Sequence, residues 1–441
     1  MEENFPMKNV TRRNSESTDS KRINTEERNH RVIEIGPPDT FLLVHLLFLL
    51  LGIMHLLPTT FFVTANDYWM YKFRSISSNN TNDRSDLQSN FASGSNIAST
   101  VPSVVCMVLA TVFGYKMKLR TRILASLFIL AASLAVSTIF INVDTDEWQT
   151  GFFALTMLIL AIMNGIMALF QVSTLALVSK LPPAYLKTFL VGQGVGGIFT
   201  SSLQVLSLAV GTSSKASALV YFLFGTLITS ITLVMFYYSK NSSFYNFHYE
   251  KNPEDTKKDI ICFVEFRDVS KKIWSSLAIG MAGALAYAPT HPAIAALVVS
   301  EFRGNENDWN EKYFVAVVTF LYSDICSVIG RVMATSLNKR PSDLWLVGLS
   351  ISRIFFFVPL FMFCNTLPRN HLPVLFPHDW QYVIILGSFM ISSGYFFNIA
   401  FMNVTRLAPE NEETSYLIMQ TFIGIVSAAF SPLGVLCVEL L

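Results

Sequence analysis

The chain is 441 residues long, with 52% hydrophobic and only 14% charged residues and a formal net charge of +1. Apolar runs recur along its whole length, which excludes a soluble globular protein or a disordered chain and indicates a polytopic membrane protein. The near-zero charge gives no electrostatic footing for nucleic-acid binding, and the five cysteines, without paired spacing, support neither a disulfide framework nor a metal site.

Residues 1–40 are charged, rich in Asn and Ser, and close on Pro37-Pro38, a composition that predicts a disordered cytosolic tail with no cleaved signal peptide. Eleven segments long and apolar enough to cross a bilayer as helices follow. The first six run over Phe41–Val63, Ile97–Met117, Arg122–Asn142, Gly151–Ser179, Phe189–Val210 and Ala216–Tyr238. The other five are Ile273–Ser300, Tyr313–Ser336, Leu344–Cys364, Gln381–Met402 and Ser415–Cys437. The polar stretch 239–272, read as a solvated cytosolic linker, thus divides a six-helix bundle, 41–238, from a five-helix bundle, 273–441. Lys and Arg concentrate in the tail, in that linker and in alternate loops, as at Lys116, Lys118, Arg120, Lys339 and Arg340. Positive charge retained on the inner side places the N-terminus in the cytosol and, with an odd number of spans, the C-terminus outside. The loop after Lys72 then faces outward, so Asn79-Asn80-Thr81 offers a glycosylation acceptor at Asn79. The same tripeptide pattern at Asn9, Asn241 and Asn403 falls on the cytosolic side and reads as chance.

Polar side chains within spans are costly unless they face protein, water or each other, and so mark candidate sites. In the first span Pro58 removes a backbone donor and predicts a kink, with His55, Thr59, Thr60 and Thr64 around it. In the fourth, Asn164 and Gln171 share one face with Ala168 between them. An amide is both donor and acceptor, which suits the edge of a nucleobase or a helix–helix hydrogen bond. The fifth span opens Gly192-Gln193-Gly194-Val195-Gly196-Gly197, whose small-residue spacing permits close packing; no strand precedes it, so it is not a phosphate loop. His291-Pro292 predicts a second break in the seventh span. Broken helices line a cavity or hinge, although a lone intramembrane His also serves as a structural donor.

In the eighth span Asp324, Ser327 and Arg331 lie on one stripe, acid and base about 10 Å apart along the axis. That is too far for a tight ion pair and suits the bracketing of a small polar molecule. The alternatives are a water-bridged pair or an Arg331 that snorkels to the cytosolic end. Arg353, near the cytosolic start of the ninth span, reads as an anchor. No metalloprotease helix, nucleophile elbow or P-loop occurs, so neither an enzyme, a cofactor nor ATP drive is indicated.

Several stretches carry a further signal through their order and spacing. Gly52 leads through Leu56-Leu57-Pro58 to Phe61-Phe62-Val63-Thr64-Ala65 and Tyr68, and Gln171 precedes Pro182, Tyr185 and Gly192-Gln193-Gly194. Gly330-Arg331, Arg353, Pro359-Leu360 and Cys364-Asn365 follow, then Glu413-Thr414 with Ile418-Met419. Over nearly its whole length the chain thus resembles the equilibrative nucleoside transporter family. Tyr68-Trp69-Met70 and Arg122-Ile123-Leu124-Ala125 are most similar to its lysosomal-type branch.

The resemblance implies an all-α integral membrane protein with a major-facilitator-like arrangement of six plus five helices. It implies facilitative transport of nucleosides, or nucleobases, by alternating access. It also implies that Gln171 meets the base and Arg331 helps hold the ribose. The sequence departs from the family at Thr59-Thr60 (Trp-Asn there), Ser327 (Asp), Asp324 (Asn), His291 (Phe) and Tyr416 (Gly). The expected binding site comprises Gln171, Asp324, Ser327, Arg331, Thr59, Thr60, His291 and Asn164. Its partners are a small nucleoside and the lipid bilayer, with no obligatory protein partner. The departures leave open a proton-coupled relative that moves organic cations or other small metabolites, and a non-transporting receptor or scaffold that kept the fold. The tail lacks an acidic dileucine sorting signal, so the plasma membrane is the expected location and the endolysosomal membrane the alternative.

Overall fold

The computed structural model describes residues 37–39, 42–75, 85–113, 117–210, 213–251, 263–304, 307–336, 341–367, 369 and 371–441. Asn79 and nearly all of the tail lie outside them. Residues Asp39–Leu441 form one compact unit. It is helical, and among the described residues the only β pairings are two isolated bridges.

The first expected span is broken where Pro58 predicted. Helix α1 (Leu43–Ile53) stops at a turn over Met54–Leu56, and α2 (Leu57–Thr64) restarts with Pro58 in its first turn, where the missing N–H leaves no bond unmade. A short α3 (Asn66–Lys72) follows. Helix α4 (Asp86–Phe113) begins well before the expected Ile97, because hydropathy detects the apolar part of a helix and not its polar extension. Then come α5 (Leu119–Asn142), α6 (Gln149–Val178), α7 (Pro183–Val210) and α8 (Ser214–Tyr238).

The expected linker is not wholly solvated. It holds α9 (Ser243–Lys251) and α10 (Phe263–Lys272), whose Tyr245 and Val269 are buried. Helix α11 (Trp274–Pro289) ends at the second predicted break, where His291 leaves helical geometry (φ −131°, ψ 126°) before short turns reach Leu297. Helix α12 (Val315–Ser336) is π-wound over Val315–Tyr322 and regular from Ser323. The chain closes with α13 (Asp343–Met362), α14 (Asp379–Leu407), α15 (Glu412–Phe430) and α16 (Pro432–Glu439).

Nine helical segments among the described residues are long and apolar enough to cross a membrane; the expected first and seventh spans are the interrupted ones. Phe355, Phe128, Ile384 and Leu227 are exposed at the surface, an arrangement that lipid favours and water does not. The chain is an integral membrane protein.

Within the N-terminal part α1 packs on α7, α4 on α6, and α5 on α6 and α8; within the C-terminal part α12 packs on α14, and α11 on α13, α14 and α15. The two sets meet where α7 touches α12 and where α4 and α6 touch α15. Glycines set these distances. A Cβ on Gly192 or Gly196 would strike the carbonyls of Leu49 or Ile53 in α1, one on Gly194 would strike Val328 and then Arg331 in α12, and one on Gly197 would strike Asp324 there. Gly330 and Gly394 seat α12 and α14 against each other's backbone in the same manner. The glycine-rich opening of the fifth expected span is therefore a packing device on two faces.

Candidate functional site

Two of the expected residues, Gln171 and Arg331, converge through His55 and through side chains that the sequence did not place in the site. Gln171 donates from Nε2 to the carbonyl of His55 (3.0 Å), an acceptor at the turn that Pro58 imposes between α1 and α2. Gln420 of α15 donates in turn to Oε1 of Gln171 (3.0 Å). On the other side of His55, Nδ1 lies 2.9 Å from Nε2 of Gln193, and Oε1 of Gln193 accepts from Nη1 of Arg331 (3.2 Å). A continuous polar line thus joins α15, α6, the first-span break, α7 and α12.

Arg331 does not snorkel. It is 9% exposed, and Nη1 also donates to the carbonyl of Leu190 (2.8 Å) and to Oδ1 of Asn398 (3.4 Å). Among the described residues Nε is buried without a partner, and the guanidinium stacks 4.6 Å from the Phe397 ring. Asn398 replies by donating to the Arg331 carbonyl (3.1 Å). A buried guanidinium is sustained by such charge-assisted bonds and by an aromatic face.

Asp324 forms no ion pair with Arg331 among the described residues. Its Oδ2 accepts from Ser201 of α7 (2.9 Å), so acid and base both face α7, at successive positions along one seam. Ser327 lies between them in sequence, but its carbonyl abuts Gly394, on the α14 side. Thr59 and Thr60 are half-buried at the start of α2 and both bond the Leu56 carbonyl. Asn164 donates to Leu160 of its own helix (2.9 Å), two turns from Gln171.

His291 sits apart from the polar line, in the C-terminal part. Its Nε2 reaches the carbonyl of Thr319 (3.2 Å) and its Nδ1 the hydroxyl of Tyr287 (2.9 Å), so both nitrogens are occupied. Arg353 is no surface anchor either. It is buried beside Phe389 and Phe396 and bonds Ser393.

Sequence reasoning read Gln193 as part of a packing motif and passed over Asn398, Gln420 and Ser201. Each is a polar residue within an apolar run, and requiring a partner for every such residue would have found them. A cavity of about 590 Å³ lies elsewhere, near the junction of α6 with α7 and the start of α15, lined by Lys180, Pro183, His248, Thr405 and Glu413 among others.

Long apolar helices, two broken spans and a polar line buried between helices are the features of a membrane carrier of small solutes. A family described as Nucleoside transporter matches residues 156–265 and 252–436, and the chain belongs to that family. It is 26% identical to equilibrative nucleoside transporter 3 of Rattus norvegicus, over 88% of this chain and 87% of that one. It is also 26% identical to equilibrative nucleoside transporter 1 of Homo sapiens, over 90% and 97%, and 21% identical to equilibrative nucleotide transporter 1 of Arabidopsis thaliana, over 90% and 86%. Among solved structures it is similar to a major facilitator superfamily proton:xylose symporter (TM-score 0.46, 10% identity, 88% of this chain and 94% of that one). It is likewise similar to the E. coli fucose:proton symporter (TM-score 0.42, 12% identity, 88% and 97%).

Proposed function

We propose that the protein is a facilitative carrier of nucleosides, working by alternating access with no ion or ATP drive. The observation that carries this reading is the buried Arg331–Gln193–His55–Gln171 line joining helices of both parts of the chain. A nucleoside must give up water from its hydroxyls and heteroatoms on entering the membrane, and such a line supplies replacement donors and acceptors in an apolar surround. In this reading eleven crossings divide six and five around the polar stretch 239–272, and rocking of the two bundles presents the site to either side in turn. Arg331 holds the ribose through Nη2, which has no hydrogen-bond partner among the described residues, and Gln171 lies beside the base, with Asp324 and Ser327 on the wall of α12. The N-terminus faces the cytosol, and the plasma membrane is the working location.

The test is uridine and adenosine uptake into proteoliposomes. Arg331→Ala removes the flux while leaving a monodisperse, folded protein; undiminished flux in that variant would sink the assignment.

A second reading draws on Asp324, a carboxylate inside the membrane whose one hydrogen bond among the described residues comes from Ser201. It favours a proton-coupled carrier of organic cations. Competition of labelled uridine uptake by organic cations, and dependence of flux on an imposed pH gradient, separate the two.

A further inference from the structure

The hydrogen bonds around Gln193 determine where one proton sits. A guanidinium can only donate, so the Gln193 oxygen must face Arg331 and the Gln193 NH₂ must face His55. Nδ1 of His55 is therefore an acceptor, and the single N–H of its neutral ring is on Nε2. Protonating Nδ1 would set donor against donor and add a second positive charge to the amide already shared with Arg331.

Nε2 has no hydrogen-bond partner among the described residues, although the side chain is only 5% exposed. It is also absent from the side-chain nitrogens that are sealed from solvent without a partner. His291 behaves differently, with both nitrogens engaged by its neighbours. His55 thus holds an oriented, unspent donor at the first-span break, and its own carbonyl fixes Gln171.

We propose that His55 donates a hydrogen bond from Nε2 to an acceptor atom of the transported nucleoside, a carbonyl oxygen or an unprotonated ring nitrogen, with Gln193 as the positioning residue that sets the tautomer. This rests on the reading of the chain as a nucleoside carrier. The arrangement rewards substrates with an acceptor edge and turns away a donor-only cation, which would meet an N–H backed by a guanidinium.

Two substitutions separate this role from a structural one. His55→Asn keeps an acceptor near the Nδ1 position, satisfying Gln193, but ends short of Nε2. His55→Gln places an amide NH₂ near Nε2 and gives up the inner acceptor. Uridine uptake by proteoliposomes is expected to show KM raised about tenfold in H55N, at an unchanged thermal midpoint, with much of the loss recovered in H55Q. A structural His55 gives the reverse order: H55N with the KM of the unaltered protein and H55Q impaired. That result would overturn the inference. Should H55N fail to fold, H55Q decides alone, since a KM as poor as the tenfold loss overturns the inference and a better one supports it. If the unaltered protein moves no nucleoside, the functional reading fails and takes this inference with it; if it moves uridine and H55N is unaffected, only the inference fails.

Discussion

The Asp39 carboxylate gathers four hydrogen bonds just ahead of α1. They come from the backbone N–H of Val44 and of His45 (3.1 Å each), from the His45 ring (3.0 Å) and from the Tyr185 hydroxyl of α7 (3.1 Å). Burial alone would raise its pKa, but these bonds outweigh burial and hold it below the ordinary carboxylate range. A group whose folded pKa is depressed adds stability above its unfolded pKa, about 3.9, and that stability is lost as pH falls through the folded value. Asp39→Asn should therefore cost about 1–2 kcal/mol at neutral pH and flatten the acid limb of stability below about pH 4. Thermal unfolding in detergent across that range tests it, and identical acid limbs in the two proteins would refute it. Residue identity alone left the direction of such side chains open. Arg331 and Arg353 were visible as charges in apolar runs, but inward burial and outward snorkelling satisfy the same hydropathy. Only the facing residues, Gln193 for one and Ser393 for the other, distinguish them.

At the scale of elements the two breaks were the most legible features, because proline acts locally: Pro58 and His291-Pro292 interrupt their spans where their chemistry requires. The π-winding before Ser323 has no comparable signature in composition, and the extension of α4 to Asp86 is polar. The glycines of α7 announced close approach but not their partners. Gly192 and Gly196 face α1 while Gly194 and Gly197 face α12, a division set by helical phase and legible only once the neighbours are known. A side chain at Gly192 must push against the Leu49 backbone, whereas a Cβ at Gly283 meets nothing within 4 Å. Gly192→Val should accordingly lower stability by about 1–3 kcal/mol, read as a reduced thermal midpoint, while Gly283→Ala leaves it nearly unchanged. Equal midpoints in the two variants would count against backbone contact as the basis of the α1–α7 packing.

For the whole molecule, hydropathy located the nine long apolar helices among the described residues, but which helices of one part meet which of the other depends on contacts far apart in sequence. Gln171 with Gln420, and Thr111 with Thr421, whose hydroxyls lie 2.8 Å apart, join α6 and α4 to α15. If the two parts rock during transport, that second contact must open and close. A Thr111→Cys/Thr421→Cys double variant should therefore lose uridine flux on oxidation and regain it on reduction, with each single variant unaffected. Flux that persists at full cross-linking would exclude motion along this contact. The glycine contacts of α7 bear on what can move. Where main chain rests on main chain, as α7 rests on α1, no rotamer is available to absorb displacement, so those two helices must travel as one rigid lever. The opposite edge of the same helix meets side chains, those of Val328, Arg331 and Asp324, and cargo preference could drift there by substitution in α12 while the lever itself stays unaltered.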